Sequence, residues 1–466
     1  MRLLFTIALA AVTALAADDG VLSRVTAHAD HFGEVAHRIW ETPELGFHET
    51  RSSAILQQEL AANGFEVRAG VAGMPTAFTA SYGNGKPVIV LLGEFDALPG
   101  LSQKDVPEPM PVTAGAPGHA CGHNLLGAAS ALAAVAMKEE IQARRLPGTI
   151  RYYGTPAEEG GGGKIYMIHA GLFQDVDAVL AWHPADHNKV DLSSALANNG
   201  GKFRFYGVAS HAAAAPERGR SALDGAMIML NAVEFLREHV PQETRIHYII
   251  TNGGSAPNIV PAFAEVSLIA RNPDATVLEN VWARVMKCAQ AGALASETRM
   301  EFVQGTNYAN ILPNDVLADA LGRAMQKAEG YEYTPQEREF ADKIQKTLGT
   351  AAGGAGPEQV NVSHAEGYIA ASTDAGDVSW VVPMGAFEAA TFVPGVAPHT
   401  WQAAACAGSS IGRKGMLVAA RTLALAAVEL FENPAEIHAA SEAYRKRLAG
   451  RTWTTHIAKD ARPPLD

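Results

Sequence analysis

Cysteine and positive charge are both scarce in this chain of 466 residues. The three cysteines, Cys121, Cys288 and Cys406, are too few and too scattered for a disulfide framework. Lysine and arginine total 37 against 49 aspartates and glutamates, and the formal net charge of −12 argues against a nucleic-acid partner. The sequence also lacks a phosphate loop, because the glycine-rich run from Gly349 to Gly356 has neither the lysine nor the strand-to-helix context.

The composition excludes a disordered chain, since 48% of the residues are hydrophobic and 18% are charged. Only the N-terminus carries a long apolar run, in which Leu3 to Ala16 follows Arg2 and ends in a small-x-small pattern. This run predicts a signal peptide over residues 1–17 and a periplasmic or secreted protein without membrane contact after its removal. An apolar N-terminal anchor helix is the alternative.

The length favours two domains, and the hydrophobic pattern predicts an α/β catalytic domain with a mixed sheet covered by helices. Continuous apolar runs predict buried strands at Pro87 to Leu92, Thr149 to Gly154 and Ala178 to Trp182, and Leu125 to Lys138 reads as an alanine-rich helix. We expect this domain to consist of residues 18–198 and 307–466.

A different pattern between residues 199 and 306 predicts an inserted domain. Alternating strands and two helices follow one another there in the order β-α-β-β-α-β, which is typical of a ferredoxin-like α+β fold. An antiparallel sheet of this kind needs its own core, because its two helices cover one face.

Cys121 and His123 lie two residues apart on a turn, Gly118 to Asn124, just before the predicted helix. A thiolate and an imidazole at this spacing can converge on one zinc-like ion. A buried thiol beside a turn is the competing interpretation.

Glu158 and Glu159 directly follow a predicted strand, at the carboxyl end where open α/β sheets bind their ligands. Because adjacent side chains diverge, one carboxylate can bind a metal while the other faces the reacting centre. A solvated acidic turn is the alternative.

Two further histidines lie at comparable places, His183 at the end of the next strand and His399 in a proline-rich loop. Either one alone would more often be structural. Together, one cysteine, three histidines and one or two glutamates on strand ends and loops predict a metal centre, and hydrolytic centres leave room for water.

Eight short segments between about residues 34 and 425 match a known family in order and spacing. They are His37–Phe47, Gly93–Pro99, the Cys-Gly-His and Glu-Glu segments, Trp182–Pro184, Gly207–Ala213, Pro257–Pro261 and Ser372–Asp374. In these segments the chain resembles the metal-dependent amidohydrolases and carboxypeptidases of the aminoacylase/glutamate-carboxypeptidase superfamily, in the amidohydrolase branch that includes the p-aminobenzoyl-glutamate hydrolases.

The resemblance implies two divalent ions, zinc or manganese. Cys121 would bridge them, the general base would be Glu158, and the remaining ligands would be His123, Glu159, His183 and His399. In many relatives a metal-binding histidine precedes the strand-end aspartate in a His-x-Asp motif, whereas here Glu94 precedes Asp96. Cys121 and His123 would then supply that coordination, and Asp96 would orient a metal-binding imidazole.

The resemblance also assigns roles within the insert and implies a homodimer formed through it. His211 would stabilise the oxyanion across the dimer interface, and Asn258 and Arg271 would hold the carbonyl or carboxylate of the substrate. Without the resemblance, His211 reads as a strand-end residue and Arg271 as a surface ion-pair partner.

The leading hypothesis is a dimetal hydrolase that cleaves the amide bond of N-acyl or N-aroyl amino acids or of small dipeptides. One alternative is a catalytically silent, metal-dependent periplasmic binding protein. Another is a dipeptidase or aminopeptidase of the same superfamily, although the sequence offers no identifiable acidic group for a free substrate amine.

Overall fold

The computed structural model describes residues 18–305, 307–349 and 353–465. The predicted signal peptide and part of the glycine-rich connection Gly349 to Gly356 lie outside the described residues. Within the described part of the chain, no helix combines the length and apolarity needed to cross a bilayer.

The chain forms twelve named strands in two sheets. The strands are β1 (Glu66–Ala69), β2 (Phe78–Asn84), β3 (Val88–Gly93), β4 (Gly148–Gly154), β5 (Ala178–Ala185), β6 (Asn188–Ala195), β7 (Ala197–Tyr206), β8 (Arg245–Asn252), β9 (Phe263–Asn272), β10 (Arg299–Gln304), β11 (Val360–Ile369) and β12 (Met384–Ala390).

The larger sheet has eight strands in the order β1-β2-β4-β3-β5-β12-β6-β11. Its centre is parallel from β4 through β3 and β5 to β12, whereas β2 runs antiparallel to both β1 and β4. The sheet is therefore mixed. A central parallel strand must be buried on both faces, and this explains the continuous apolar run of β3.

Helices cover both faces of this sheet. Ile89 and Leu91 of β3 belong to one hydrophobic core, while Val90 and Leu92 belong to another on the opposite face. The helices outside the insert are residues 18–27, Ala29–Trp40, Thr50–Ala62, His123–Arg144, Gly163–His169, Asp315–Ala328, Pro335–Lys346, Ala375–Ser379, Trp401–Gly408, Ser410–Glu432 and Pro434–Leu448.

The smaller sheet is fully antiparallel in the order β10-β7-β9-β8. Helices Ala222–Arg237 and Ala275–Ala295 pack on it around a separate core that includes Phe203, Phe205 and Trp282. The element order between β7 and β10 is β-α-β-β-α-β, so the predicted fold class, a mixed-sheet domain with a ferredoxin-like insert, is confirmed.

Candidate metal centre

The predicted metal-binding residues gather at one edge of the larger sheet. Three parallel strands end there: β3 before Glu94 and Asp96, β4 before Glu158 and Glu159, and β5 around His183. Carboxyl ends of parallel strands meet at the same edge of an open sheet, and this brings residues distant in sequence together.

Cys121 reaches this edge because Gly122 turns the chain into the helix that begins at His123. Gly122 has a φ of 77°, and a Cβ on it would lie 2.8 Å from the Cβ of Pro184. The position therefore requires glycine for both its conformation and its close packing. His399 joins from the opposite side of the sequence through its backbone N–H, which donates to the carbonyl of Ala120 over 2.9 Å.

The five predicted ligands form two triads that share Cys121. Within each triad the possible donor atoms all lie within 4.8 Å of one another. The first triad is Cys121, His123 and His183, with 3.4 Å between Cys121 Sγ and His183 Nε2. The second is Cys121, Glu159 and His399, with 3.2 Å between Glu159 Oε1 and His399 Nε2. Two donor triads with a common sulfur fit two neighbouring cations bridged by that sulfur.

Buried atoms without hydrogen-bond partners support the presence of a metal. His123 Nε2 and Glu159 Oε1 are buried and make no hydrogen bond to any described residue. Such atoms are costly unless something satisfies them. Imidazole nitrogen, carboxylate oxygen and thiolate sulfur are together a suitable donor set for a divalent cation.

Neighbouring groups hold the imidazole rings in place. His123 Nδ1 lies 2.9 Å from Asp96 Oδ1, and His183 Nδ1 lies 2.8 Å from the carbonyl of Pro184. In each ring the Nδ1–H donates to oxygen, so the Nε2 lone pair is free for a metal. The second oxygen of Asp96 accepts the backbone N–H of Glu159 over 2.8 Å, so this carboxylate positions a residue in each triad.

The charges of the centre are also those of a cation site. Five carboxylates and one ammonium meet here, leaving four excess negative charges: Glu94, Asp96, Glu158, Glu159 and Asp374 with Lys164. Burial raises the pKa of Glu158 well above its ordinary range, and the nearby Glu94 adds to that shift. Burial acts on Glu159 in the same direction, but His399 and His123 outweigh it and lower the pKa of Glu159 to about 2. Glu159 therefore suits a ligand, and Glu158 suits a proton carrier.

The loop that carries Glu158 is fixed by residues that the sequence analysis did not identify. Ala157 has a φ of 57°, and its N–H donates to Glu49 Oε1 over 2.8 Å. Tyr308, where the chain returns from the insert, donates its hydroxyl to the carbonyl oxygen of Glu158 over 3.0 Å. Glu49 lies in a matched segment's flank and Tyr308 in no motif, so sequence offered no signal for either role.

A second omission is the ion cluster beneath the centre. The ammonium of Lys164 is completely buried between Glu94 and Asp374, at 2.7 and 2.5 Å. Asp374 belongs to a matched segment, but a lysine in a glycine-rich run reads as an exposed residue.

The three predicted insert residues lie apart from the triads. His211 and Asn258 are exposed and lie on neighbouring segments, since Ala212 N–H donates to the carbonyl of Asn258 over 3.0 Å. Arg271 lies on β9, half-buried and paired in register with Asn198 and Arg245. Among the described residues, no hydrogen bond or ion pair joins these three side chains to the triads.

The fold and the donor set together define a metal-dependent amidohydrolase or peptidase. This class is consistent with a base-like glutamate beside two donor triads at the edge of the sheet. The chain belongs to peptidase family M20/M25/M40, whose model matches residues 90–423.

The chain is similar to one of the two kinds of subunit of the p-aminobenzoyl-glutamate hydrolase of Escherichia coli (strain K12), with 38% identity over 94% of this chain and 97% of that protein. It is also 30% identical to the Xaa-Arg dipeptidase of Mus musculus, over 91% of each chain. The hippurate hydrolase of Campylobacter jejuni is 27% identical over 64% of this chain and 79% of its own. The predicted family and enzyme class are confirmed.

Two solved structures share the fold. A dinuclear metal-binding peptidase of the M20 family from Bacillus subtilis superposes with a TM-score of 0.60 at 18% identity, covering 87% of this chain and 99% of that one. An aminobenzoyl-glutamate utilization protein from Klebsiella pneumoniae gives 0.59 at 18% identity, covering 87% and 97%.

Proposed function

We propose that this protein hydrolyses the amide bond of N-acyl or N-aroyl amino acids, with two divalent cations at the triads and Glu158 as general base. The observation that carries this proposal is the pair of donor triads sharing Cys121, with the buried Glu158 beside them. Zinc or manganese is the proposed metal, because both accept mixed sulfur, nitrogen and oxygen ligands.

A bound metal pair lowers the pKa of water and polarises the amide carbonyl. The chain's own residues do the rest. Glu158 takes a proton from the attacking water and delivers it to the leaving amine, a role open to it because it is not one of the five ligands. Asp96 keeps the ring of His123 and the backbone of Glu159 in position.

His211 is proposed to stabilise the tetrahedral oxyanion, and its tautomer supports this role. Its Nδ1 accepts the backbone N–H groups of Ala213 and Ala214, at 3.2 and 3.1 Å. The proton therefore resides on Nε2, which is free to donate to an oxyanion. Asn258 and Arg271 are the proposed contacts to the carbonyl or carboxylate of the substrate.

The names of the relatives guide the choice of substrates. They describe hydrolysis of an aminobenzoyl-glutamate, a dipeptide ending in arginine and hippurate. These are small amides with a free carboxylate. A dipeptidase is the second candidate, since the Xaa-Arg dipeptidases match over nine-tenths of the chain.

The deciding experiment is turnover of a panel of N-acyl amino acids and the corresponding dipeptides, with metal content measured in parallel. Glu158→Gln serves as the variant, since it preserves the shape of the side chain but cannot take up a proton. We expect at least a 100-fold loss of kcat at unchanged metal content. Equal rates for wild type and variant would remove Glu158 as the base, and binding without turnover by the wild type would favour a silent binding protein.

A homodimer formed through the insert is also proposed. Helix Ala222–Arg237 exposes Met227, Ile228 and Phe235, the last with 73% of its surface accessible. The unpaired edge strand β8 exposes Ile249 and Ile250. An apolar helix face and a free strand edge on one small domain favour pairing with a second copy.

Light scattering tests this dimer. Phe235→Glu should shift the mass towards the monomer, whereas Leu294→Glu, also in an exposed apolar position of the insert, is the matched control. A monomeric and fully active wild type would exclude a role for His211 across the interface.

Export to the periplasm or medium is proposed from the apolar N-terminal run. Cell fractionation with N-terminal sequencing of the mature protein tests it; a cytoplasmic, uncleaved chain would contradict the proposal.

A further inference from the structure

Lys164 is a fully buried ammonium in the centre that the proposed reaction does not use. Its Nζ lies 2.7 Å from Glu94 Oε1 and 2.5 Å from Asp374 Oδ1. Its backbone N–H donates to the other oxygen of Asp374 over 2.9 Å. Asp374 is thus held at both oxygens by one residue, but Glu94 is held at only one.

The second oxygen of Glu94 has an unusual environment. Oε2 is buried and makes no hydrogen bond to any described residue. It lies 3.3 Å from His123 Nε2, and Glu94, His123 and Glu158 form a third set of donor atoms within 4.8 Å of one another. A carboxylate oxygen left buried without a partner is destabilising unless a cation or donor reaches it.

The same condition marks predicted ligand atoms. Among buried atoms without hydrogen-bond partners in the described residues, His123 Nε2 and Glu159 Oε1 are already assigned to the metal. Glu94 Oε2 shares their state and faces one of them across a distance typical of two ligands on one ion. Lys164 occupies Oε1 and so turns Oε2 towards the centre.

The geometry points to Glu94 as a further metal-binding residue, whose Oε2 binds the cation held by His123, and to Lys164 as the residue that positions it. This inference rests on the proposed metal pair. It extends the ligand set beyond the five residues that the sequence predicts. Lys164 contributes a charge as well as an orientation, since it compensates one of the two carboxylates it contacts.

Cobalt(II) titration of the full-length protein tests the inference, because the visible absorption of cobalt(II) reports its ligands and geometry independently of activity. Metal stoichiometry and affinity are measured in the same samples. Glu94→Gln should weaken one cobalt site more than 100-fold and change the absorption spectrum of the cobalt that remains bound.

Asp96→Asn is the matched control. It removes a buried carboxylate from the other side of the same imidazole, at Nδ1 rather than Nε2. Loss of such an orienting partner weakens metal binding by about 10- to 100-fold. It should leave the number of bound ions and the spectrum of the fully loaded protein unchanged.

Lys164→Met tests the positioning role. We expect the spectral change of Glu94→Gln to reappear in this variant, and Lys164→Arg to restore part of the wild-type spectrum because it retains the charge. A spectrum of Lys164→Met identical to that of the wild type would remove Lys164 from this role.

Should the variants fail to fold, a crystal structure of zinc-loaded wild type decides the question. An ion at about 2.0–2.2 Å from Glu94 Oε2 supports the inference. An ion beyond bonding distance, or two ions bound by Glu94→Gln with the wild-type spectrum, overturns it. A wild type that binds no metal pair would instead refute the proposed function itself.

Discussion

Replacing Tyr308 with phenylalanine removes a single hydroxyl that connects the base of the insert to the catalytic loop. Tyr308 is 5% exposed, and its hydroxyl donates to the carbonyl of Glu158 over 3.0 Å. Its backbone is paired with Asn198, at the point where the chain enters the insert. Tyr308 therefore links the hinge of the insert to the peptide unit of the proposed base.

The expected magnitude follows from the hydrogen bonds that remain. The carbonyl of Glu158 also accepts the N–H of Gly160 over 2.6 Å, so Tyr308→Phe leaves no unsatisfied acceptor. The cost should be that of one ordinary hydrogen bond, about 1 kcal/mol in stability. If this bond also holds Glu158 in its reactive position, the same energy corresponds to about a fivefold fall in kcat.

Tyr331→Phe is the matched control, because its hydroxyl also donates to backbone carbonyls, those of Ala390 and Ile411, but away from the triads. Thermal unfolding and steady-state kinetics should show a similar loss of stability in both variants and a loss of kcat, at unchanged KM, only in Tyr308→Phe. Equal kcat values in the two variants would refute the link between hinge and base.

Three further predictions concern the metal, the turn and pH. Chelation should lower the Tm, since each cation at 100 times its Kd stabilises the fold by about 2.7 kcal/mol; an unchanged Tm would count against metal binding. Gly122→Ala should destabilise the protein by at least about 2 kcal/mol in denaturant unfolding, because φ is 77° and the new Cβ would meet Pro184. Ion pairing with Asp186 and Glu388 raises the pKa of His187 to about 9 from 6.5, so its stabilisation is complete below pH 6.5 and is lost as pH rises to about 9. We expect about 1 kcal/mol after allowance for its partial exposure, and His187→Gln should abolish this pH dependence of unfolding.

The sequence predicts the parts of the fold that depend on local pattern. A strand buried on both faces must be apolar throughout, so β3 is recognisable from its six residues alone. The same holds for the alternation in the insert. By contrast, β6 was not predicted, because its polar residues alternate with only a few apolar ones and its partners β11 and β12 come much later in the chain.

The arrangement of the centre was predictable only where strand ends carry chemically distinctive residues. Cys121, His183 and Glu159 were found because their residue types and positions coincide with metal chemistry. Lys164, Glu49 and Tyr308 act through partners distant in sequence, such as Asp374 for Lys164. No local periodicity encodes such a contact, so only the folded chain identifies them.

The connections around Asp96 explain how the centre can be organised before a cation binds. One oxygen of Asp96 holds the ring of His123 in the first triad, and the other holds the backbone of Glu159 in the second. The loop of His399 is tied to the Cys121 turn through Ala120. These are neutral or backbone contacts that do not depend on metal, whereas the excess carboxylates repel one another until positive charge arrives. The backbone framework therefore sets the geometry, and the unbalanced charge supplies the affinity for cations.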